Sequence, residues 1–164
     1  MKINIFGSTG IIGTKSLNLL FKFYPKIKIN LLTANKNYKK LILQSKIYKP
    51  KYVYINDETK LTILKKKLNN KIKILNKNEL FDYLLKSKSE LTILSISGYQ
   101  SLIYLESIFK NTKNLGLVNK ECVVSGGHLF YKLINQYKVN IFPLDSEHFS
   151  LKFFFDNNNS DYDY

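Results

Sequence analysis

The chain has 164 residues, enough for one domain with an adequate hydrophobic core and, at most, the beginning of a second. Its hydrophobic content of 45% excludes a wholly disordered protein, and no apolar run approaches the ~20 residues that cross a bilayer. One cysteine, Cys122, excludes an internal disulfide and a cysteine-rich zinc site.

The net charge of +14 is typical of proteins that bind nucleic acids or membrane surfaces. The 26 lysine and arginine residues are all lysines, however, and they are spread over all the predicted helices. A compositional bias in the coding sequence would produce this pattern. We therefore expect no single basic face with interleaved aromatics, no nucleic-acid partner and no membrane partner. Nucleic-acid binding through the lysines is the alternative. Met1 leads directly into an apolar strand, which indicates no signal or transit peptide and predicts a cytoplasmic protein.

Residues 2–22 predict a strand, a glycine turn and a helix in succession. Gly7, Gly10 and Gly13 have the spacing G-x-x-G-x-x-G, a variant of the dinucleotide-binding fingerprint. The start of a helix has unpaired backbone N–H groups and attracts a pyrophosphate. An ordinary β-to-α turn is the alternative, but the order of strand, turn and helix favours a cofactor site. Ser8 and Thr9 are expected to add hydroxyl donors.

The next predicted strand, residues 26–33, ends in Thr33-Ala34-Asn35-Lys36-Asn37. NAD-specific sites have an acidic residue near the end of this strand, where it binds the ribose hydroxyls, and none is present here. Lys36 would instead pair with a 2′-phosphate, so the sequence predicts NADPH. The alternative is that Lys36 is one more solvated lysine.

The remainder alternates predicted helices and strands, which is typical of an α/β, doubly wound parallel sheet of the Rossmann type. The predicted helices are 37–48, 57–68, 80–85, 100–110 and 122–137, and the predicted strands are 51–56, 72–75, 90–98, 115–118 and 139–144. Polar clusters follow the last two strands, at the sheet edge where ligands collect. We expect a nucleotide-binding domain at 1–140, the entry to a second domain at 141–155, and a disordered tail at 156–164.

Four stretches in this order, GSTGIIG, ANKN, VNKE and PLDSEH, resemble the 1-deoxy-D-xylulose 5-phosphate reductoisomerase family. The resemblance implies that the chain is the amino-terminal NADPH-binding part with only the start of a catalytic domain. It also implies a divalent metal (Mg²⁺, Mn²⁺ or Co²⁺), a sugar phosphate substrate and a homodimer. The family isomerises and reduces 1-deoxy-D-xylulose 5-phosphate to 2-C-methyl-D-erythritol 4-phosphate. A truncated nucleotide-binding remnant without catalysis is the alternative.

The resemblance assigns residues to three roles. Cofactor contacts fall on Thr9, Gly10, Ile11, Ile12, Asn35, Lys36, Asn37, Asn119 and Glu121. Substrate contacts fall on Lys120, Ser146 and Glu147, and metal ligands on Asp145 and Glu147. Hard divalent cations favour such carboxylates. The chain departs from the family pattern where Ile11 replaces a serine, Asn35 replaces a common glycine and Ser101 replaces a glycine.

Overall fold

The computed structural model describes residues 1–68, 70–145 and 149–150. Its strands are β1 (Lys2–Phe6), β2 (Lys28–Ala34), β3 (Tyr52–Ile55), β4 (Lys73–Leu75), β5 (Ser89–Leu94), β6 (Thr112–Leu117) and β7 (Asn140–Pro143). Its α-helices are α1 (Ile11–Phe23), α2 (Tyr38–Tyr48), α3 (Leu61–Lys67), α4 (Lys77–Lys86), α5 (Leu102–Asn111) and α6 (Lys120–Tyr137). Short 3-10 turns at Glu58–Lys60 and Tyr99–Ser101 lead into α3 and α5.

The seven strands form one parallel sheet in the order β4-β3-β2-β1-β5-β6-β7. The chain builds outward from β1 to β4 and then returns to build outward from β5 to β7. The strand order therefore reverses between β1 and β5, which is the point where open α/β sheets bind ligands at the carboxyl ends of their strands. The predicted doubly wound α/β fold is confirmed. β7 also belongs to this sheet, so the expected boundary at residue 140 falls at its start.

Hydrophobic cores cover both faces of the sheet. Successive strand residues point to opposite faces, so Ile5 packs with Leu17 of α1 while Phe6 packs with Leu105 of α5. Helices α1, α2 and α3 supply one core, and α4, α5 and α6 supply the other. Among the described helices, none combines the length and apolar content that a membrane crossing requires. The expected disordered tail, residues 156–164, lies outside the described residues.

A network of buried amides ties the sheet to two helices. The side chain of Asn111, fully buried at the end of α5, accepts hydrogen bonds from Asn4 Nδ2 at 2.9 Å and Ser89 Oγ at 2.7 Å. Its own Nδ2 donates to the carbonyl of Ser87 at 2.7 Å and to that of Leu84 at 3.3 Å. One side chain thereby satisfies polar groups of β1, β5 and the end of α4.

Replacing Asn111 with Ala should therefore destabilise the fold. Several buried donors and acceptors would lose their partners at once, and we expect the free energy of unfolding to fall by about 3 kcal/mol. Urea denaturation followed by far-UV circular dichroism measures this change. Asn135→Ala on the exposed face of α6 is the matched control and should change it by less than about 0.5 kcal/mol. Equal effects of the two substitutions would contradict the importance of the network.

Candidate functional site

A cleft of about 600 Å³ opens at the carboxyl edge of the sheet, where the strand order reverses. Its walls come from the turns that follow β1, β2, β3 and β5, together with the first residues of α5. The predicted cofactor residues Thr9, Gly10, Asn35 and Lys36 line it. Residues that are separated by the whole of β1–α5 in sequence thus meet in one concave site.

The glycine turn after β1 is held by close backbone packing. Gly7 has φ +74°, a conformation that other residues rarely adopt, and a Cβ there would lie 2.6 Å from the carbonyl oxygen of Ser95. A Cβ on Gly13 would lie 2.4 Å from the carbonyl oxygen of Gly7. Both positions therefore require glycine, which brings the start of α1 onto the end of β1.

Helix α1 begins differently from three other helices of the chain. Asn37, Asn76 and Asn119 cap α2, α4 and α6 with their side chains, whereas α1 starts at Gly10 with no side-chain cap and no acidic residue in its first turn. The N–H groups of its first turn therefore have no side-chain cap; α3 and α5 also lack one, but these two helices continue from 3-10 turns. Unpaired N–H groups and the positive end of a helix dipole favour an anion such as a pyrophosphate, and Gly10, at the start of α1, lines the cleft.

The expectation for Ser8 is wrong. Its side chain is fully buried, and Oγ lies 2.8 Å from Gln44 Oε1 and 3.1 Å from the carbonyl of Thr33. Gln44 in turn donates to the carbonyl of Ser8 at 2.8 Å. The hydroxyl therefore fastens the turn to α2 and β2 and cannot reach an anion in the cleft. Thr9, which is half-buried, does line the cleft.

The turn after β2 forms the far wall of the cleft. Lys36 and Asn35 are exposed, and Asn35 Oδ1 accepts a hydrogen bond from Asn56 Nδ2 at 3.2 Å. Asn56 also accepts from the hydroxyl of Tyr54 at 3.1 Å. Asn37, predicted to contact the cofactor, uses its side chain to cap α2 by accepting from the N–H of Lys40 at 3.0 Å. The wall is thus braced from β3, and Lys36 extends from a fixed backbone.

A carboxylate from the next strand lies close to this lysine. Asp57 follows β3, and its N–H donates to the carbonyl of Asn35 at 3.0 Å. A hydrogen bond from the Thr59 hydroxyl, with smaller contributions from Lys60 and Lys36, lowers the pKa of the Asp57 carboxyl. Asp57 is therefore ionised at neutral pH and offsets part of the positive field of Lys36.

Asn119 braces the third wall of the site. This buried side chain donates from Nδ2 to the carbonyls of Ile96 and Gly98, each at 2.7 Å, and accepts from the N–H of Glu121 at 2.8 Å. Both its donor hydrogens and its acceptor are therefore engaged within the protein. The contact between Asn119 and a cofactor stays a prediction, while the structure gives the side chain a positioning role toward the turn after β5.

A family model described as 1-deoxy-D-xylulose 5-phosphate reductoisomerase matches residues 3–127, which run from β1 into the first half of α6. The chain belongs to this reductoisomerase family. Over 162 residues it is 40% identical to the 1-deoxy-D-xylulose 5-phosphate reductoisomerase of Pelagibacter ubique (strain HTCC1062). The aligned region covers 96% of this chain and 41% of that relative.

Solved reductoisomerase structures share the fold. The enzyme from Zymomonas mobilis in complex with NADPH superposes with a TM-score of 0.81 at 27% identity, covering 90% of this chain and 39% of that one. A second, a DOX-P reductoisomerase with NADPH, fosmidomycin and magnesium, gives a TM-score of 0.81 at 24% identity over 90% of this chain and 37% of its own. The chain thus spans about two fifths of the length of these reductoisomerases.

The three departures from the reductoisomerase pattern are accommodated locally. Ile11 is 76% exposed, so its side chain disturbs no packing at the start of α1. Asn35 uses its side chain as the acceptor for Asn56. Ser101 is buried and donates from Oγ to the carbonyl of Gly98 at 3.1 Å, which steadies the turn before α5. The substitutions leave the backbone of the cleft intact.

The predicted substrate and metal residues are only partly described. Lys120 is the exposed first residue of α6, and Asp145 follows β7, so both lie at the carboxyl edge of the sheet. Ser146 and Glu147 lie outside the described residues. Among the described residues, no group of three or more histidine, cysteine, aspartate or glutamate side chains is placed to hold a metal ion. Asp145 with Glu147 therefore stays a prediction.

Several cleft residues were not anticipated from the sequence. Tyr54, Tyr99, Ile103 and Tyr104 all line the cleft. Burial raises the pKa of Tyr104, and burial together with the neighbouring Tyr104 raises that of Tyr54, so both phenols remain neutral. The positions of β3 and β5 in the sheet decide their placement. β3 lies beside β2, and β5 lies beside β1. Only knowledge of this strand order could have indicated that these four residues line the cleft.

A pair of glycine substitutions tests the packing of the turn. Gly13→Ala should lower the free energy of unfolding by about 1–3 kcal/mol, because the methyl group would collide with backbone atoms of Gly7 and Ser8. Gly127→Ala, also in a helix, meets nothing within 4 Å and should raise it by about 0.5–1 kcal/mol. Thermal and urea unfolding measure both changes. A neutral Gly13→Ala would show that the close approach is dispensable.

Proposed function

We propose that the cleft at the carboxyl edge binds NADPH. The observation that carries the proposal is the uncapped start of α1 beside a glycine turn, at the reversal of the strand order in a chain of the reductoisomerase family. Backbone N–H groups of the first turn of α1, around Ile11 and Ile12, would hold the pyrophosphate. Two reductoisomerases that superpose on this chain are complexes with NADPH, which supports the same site.

Lys36 would select the 2′-phosphate of the cofactor. Its ammonium group stands on a braced turn at the end of β2, where a dinucleotide fold places the adenosine ribose. Asp57 opposes this preference, because its ionised carboxyl repels a phosphate. The selectivity for NADPH over NADH would therefore depend on two opposing charges. Lys36 would contact the phosphate, and the carboxylate of Asp57, which follows the neighbouring strand β3, would repel it.

Two single-charge substitutions separate these contributions. Lys36→Gln should weaken NADPH binding by about tenfold, the usual size of a charge-assisted hydrogen bond, and leave NADH binding nearly unchanged. Asp57→Asn should strengthen NADPH binding by about two- to fivefold. Asparagine also caps helices, so the start of the 3-10 turn at Glu58–Lys60 is kept. Calorimetric titration of the 164-residue chain with each nucleotide measures these changes.

Lys132→Gln on α6 is the matched control, since it removes the same charge from an exposed position away from the cleft. An equal loss with Lys36→Gln and Lys132→Gln would mean that only the net charge of the chain matters. Failure of the unaltered chain to bind either nucleotide would contradict the cofactor site itself.

For the whole protein we propose the reaction of its family. NADPH would supply a hydride for reducing the rearranged 1-deoxy-D-xylulose 5-phosphate to 2-C-methyl-D-erythritol 4-phosphate. Within this chain, Lys120 would bind the substrate. Asn119, through its hydrogen bonds to the carbonyls of Ile96 and Gly98, would hold the turn after β5 in position against the cofactor. The amino-terminal nucleotide-binding domain would end after β7, with the catalytic domain beginning at residues 144–155.

A divalent cation is part of the same proposal. Mg²⁺ is usually held by one or two carboxylates together with substrate oxygens and water. Asp145, at the end of β7, and Glu147 would supply the carboxylates, and Ser146 and Glu147 would also contact the substrate. The described residues provide one of these side chains, so no further step is assigned to the metal. A cytoplasmic homodimer acting on a small sugar phosphate completes the proposal.

The complete product of the gene that encodes this chain should oxidise NADPH only when 1-deoxy-D-xylulose 5-phosphate and Mn²⁺ are both present. The loss of NADPH absorbance measures this reaction, and the same protein with EDTA is the control. NADPH binding without turnover would contradict the enzymatic proposal and favour the second candidate, a nucleotide-binding protein without catalysis.

A further inference from the structure

We propose that a second cleft, at the opposite edge of the sheet, binds a small polyphosphate anion. This amino-edge cleft has a volume of about 960 Å³ and lies where β1, β2 and β3 begin and where α2, α3 and α4 end. None of its lining residues belongs to the cofactor cleft. Residues 28–30 of β2 line the amino-edge cleft and residues 33 and 34 line the cofactor cleft, about 10 Å further along the strand. Because no residue lines both clefts, both can be occupied at once.

Lysines are concentrated around this cleft. Lysine supplies 26 of the 164 residues of the chain but seven of the seventeen described residues that line the cleft, and none of those seventeen is acidic. The sequence, in which lysines are spread over all the predicted helices, did not indicate this concentration. Lysines scattered along the chain meet in space because the strands of a parallel sheet all begin at the same edge.

Three of these lysines stand side by side at the starts of adjacent strands. Lys2 and Lys28 are direct partners in the pairing of β1 with β2, and Lys51 immediately precedes β3. Neighbouring strands lie about 4.8 Å apart, so the like charges of Lys2 and Lys28 repel each other in the unoccupied protein. An anion bound between these side chains would relieve that repulsion.

Three more lysines lie at helix ends. Lys46 is in the last turn of α2, Lys49 follows that helix, and Lys67 ends α3. Cations at such positions are also stabilised by the negative end of the helix dipole, so the dipoles alone could account for some of them. Three helix ends supply roughly −1.5 charges in total, well short of the seven lysines. A large positive excess remains for a ligand.

The nearby acids do not cancel this excess. Lys71 has an interaction partner of its own and is left out of this balance. Lys73, Lys86 and Lys110 form ion pairs between described residues, and none of these three lines the cleft. Glu90 lies beside the cleft, where its carboxylate accepts a hydrogen bond from the backbone N–H of Lys2; this bond, with the nearby amino terminus and Lys2, lowers its pKa. Within the described part of the chain, this one carboxylate leaves most of the charge of the other six lysines unbalanced.

The shape of the cleft favours a small ligand over a nucleic-acid strand. Its volume falls within the ~300–1,000 Å³ of small-molecule sites, and its lysines surround a concave space. Lysine is a compact point charge that binds phosphate oxygens without demanding one fixed geometry. Several phosphates linked together would contact lysines from β1, β2, α2 and α3 simultaneously, whereas a single phosphate would reach only a few of them.

The test is calorimetric titration of the 164-residue chain with sodium tripolyphosphate while NADPH fills the cofactor cleft. The double variant Lys46→Gln/Lys67→Gln is compared with Lys113→Gln/Lys132→Gln, which makes the same change in net charge at exposed positions outside the cleft. Circular dichroism confirms that both variants are folded. We expect the first pair to weaken tripolyphosphate binding at least about fivefold and the second pair less than about twofold.

Equal losses in the two double variants would overturn the proposal, because binding would then follow net charge alone. Absence of tripolyphosphate binding by the unaltered chain at low salt would also overturn it. A ten-nucleotide single-stranded RNA is titrated in parallel. Cleft-dependent binding of that RNA without binding of tripolyphosphate would assign the cleft to nucleic acid and reject the small polyphosphate.

Discussion

The close approach of three backbone segments around Gly7 is the constraint on which the proposed cofactor site depends. A Cβ on Gly13 would lie 2.4 Å from the carbonyl oxygen of Gly7, and a Cβ on Gly7 would lie 2.6 Å from the carbonyl oxygen of Ser95 after β5. The Ser95 hydroxyl closes the contact by donating to the carbonyl of Phe6 at 2.6 Å. Because no side chain can separate these segments, the start of α1 is fixed over the reversal of the strand order. The anion site and both neighbouring walls of the cleft follow from that placement.

Local sequence patterns were sufficient to predict the succession of strands and helices, the glycine turn and the position of Lys36. These features depend on the periodicity of apolar residues and on the conformational freedom of glycine, both of which are readable within a few residues. Parallel pairing then places every strand end at one edge. The α/β fold, and the meeting of the glycine turn with Lys36 at one edge of the sheet, could therefore be predicted from the sequence.

Side-chain direction could not be predicted in the same way. Ser8 and Thr9 are adjacent hydroxyl residues in the same turn, yet Gln44, thirty-six positions after Ser8, draws Ser8 into the protein and leaves Thr9 at the cleft. The closeness of Asp57 to Lys36 could not be predicted from the end of β2 alone. Asp57 follows β3, and it comes near Lys36 because β3 lies beside β2 in the sheet. In both cases a contact between distant segments decided the outcome.

The same reasoning explains the distribution of charge. A composition rich in lysine predicts a diffuse positive field, but a parallel sheet sorts strand starts and helix ends to one edge and helix starts to the other. At the carboxyl edge, the proposed anion site around α1 would use backbone N–H groups held by packing, so its attraction would be short in range and built into the fold. At the amino edge, the attraction would come from exposed lysine side chains whose field salt screens within ~10 Å. The two proposed sites would therefore attract anions by different physical means, one through the geometry of the backbone and the other through the accumulated charge of side chains.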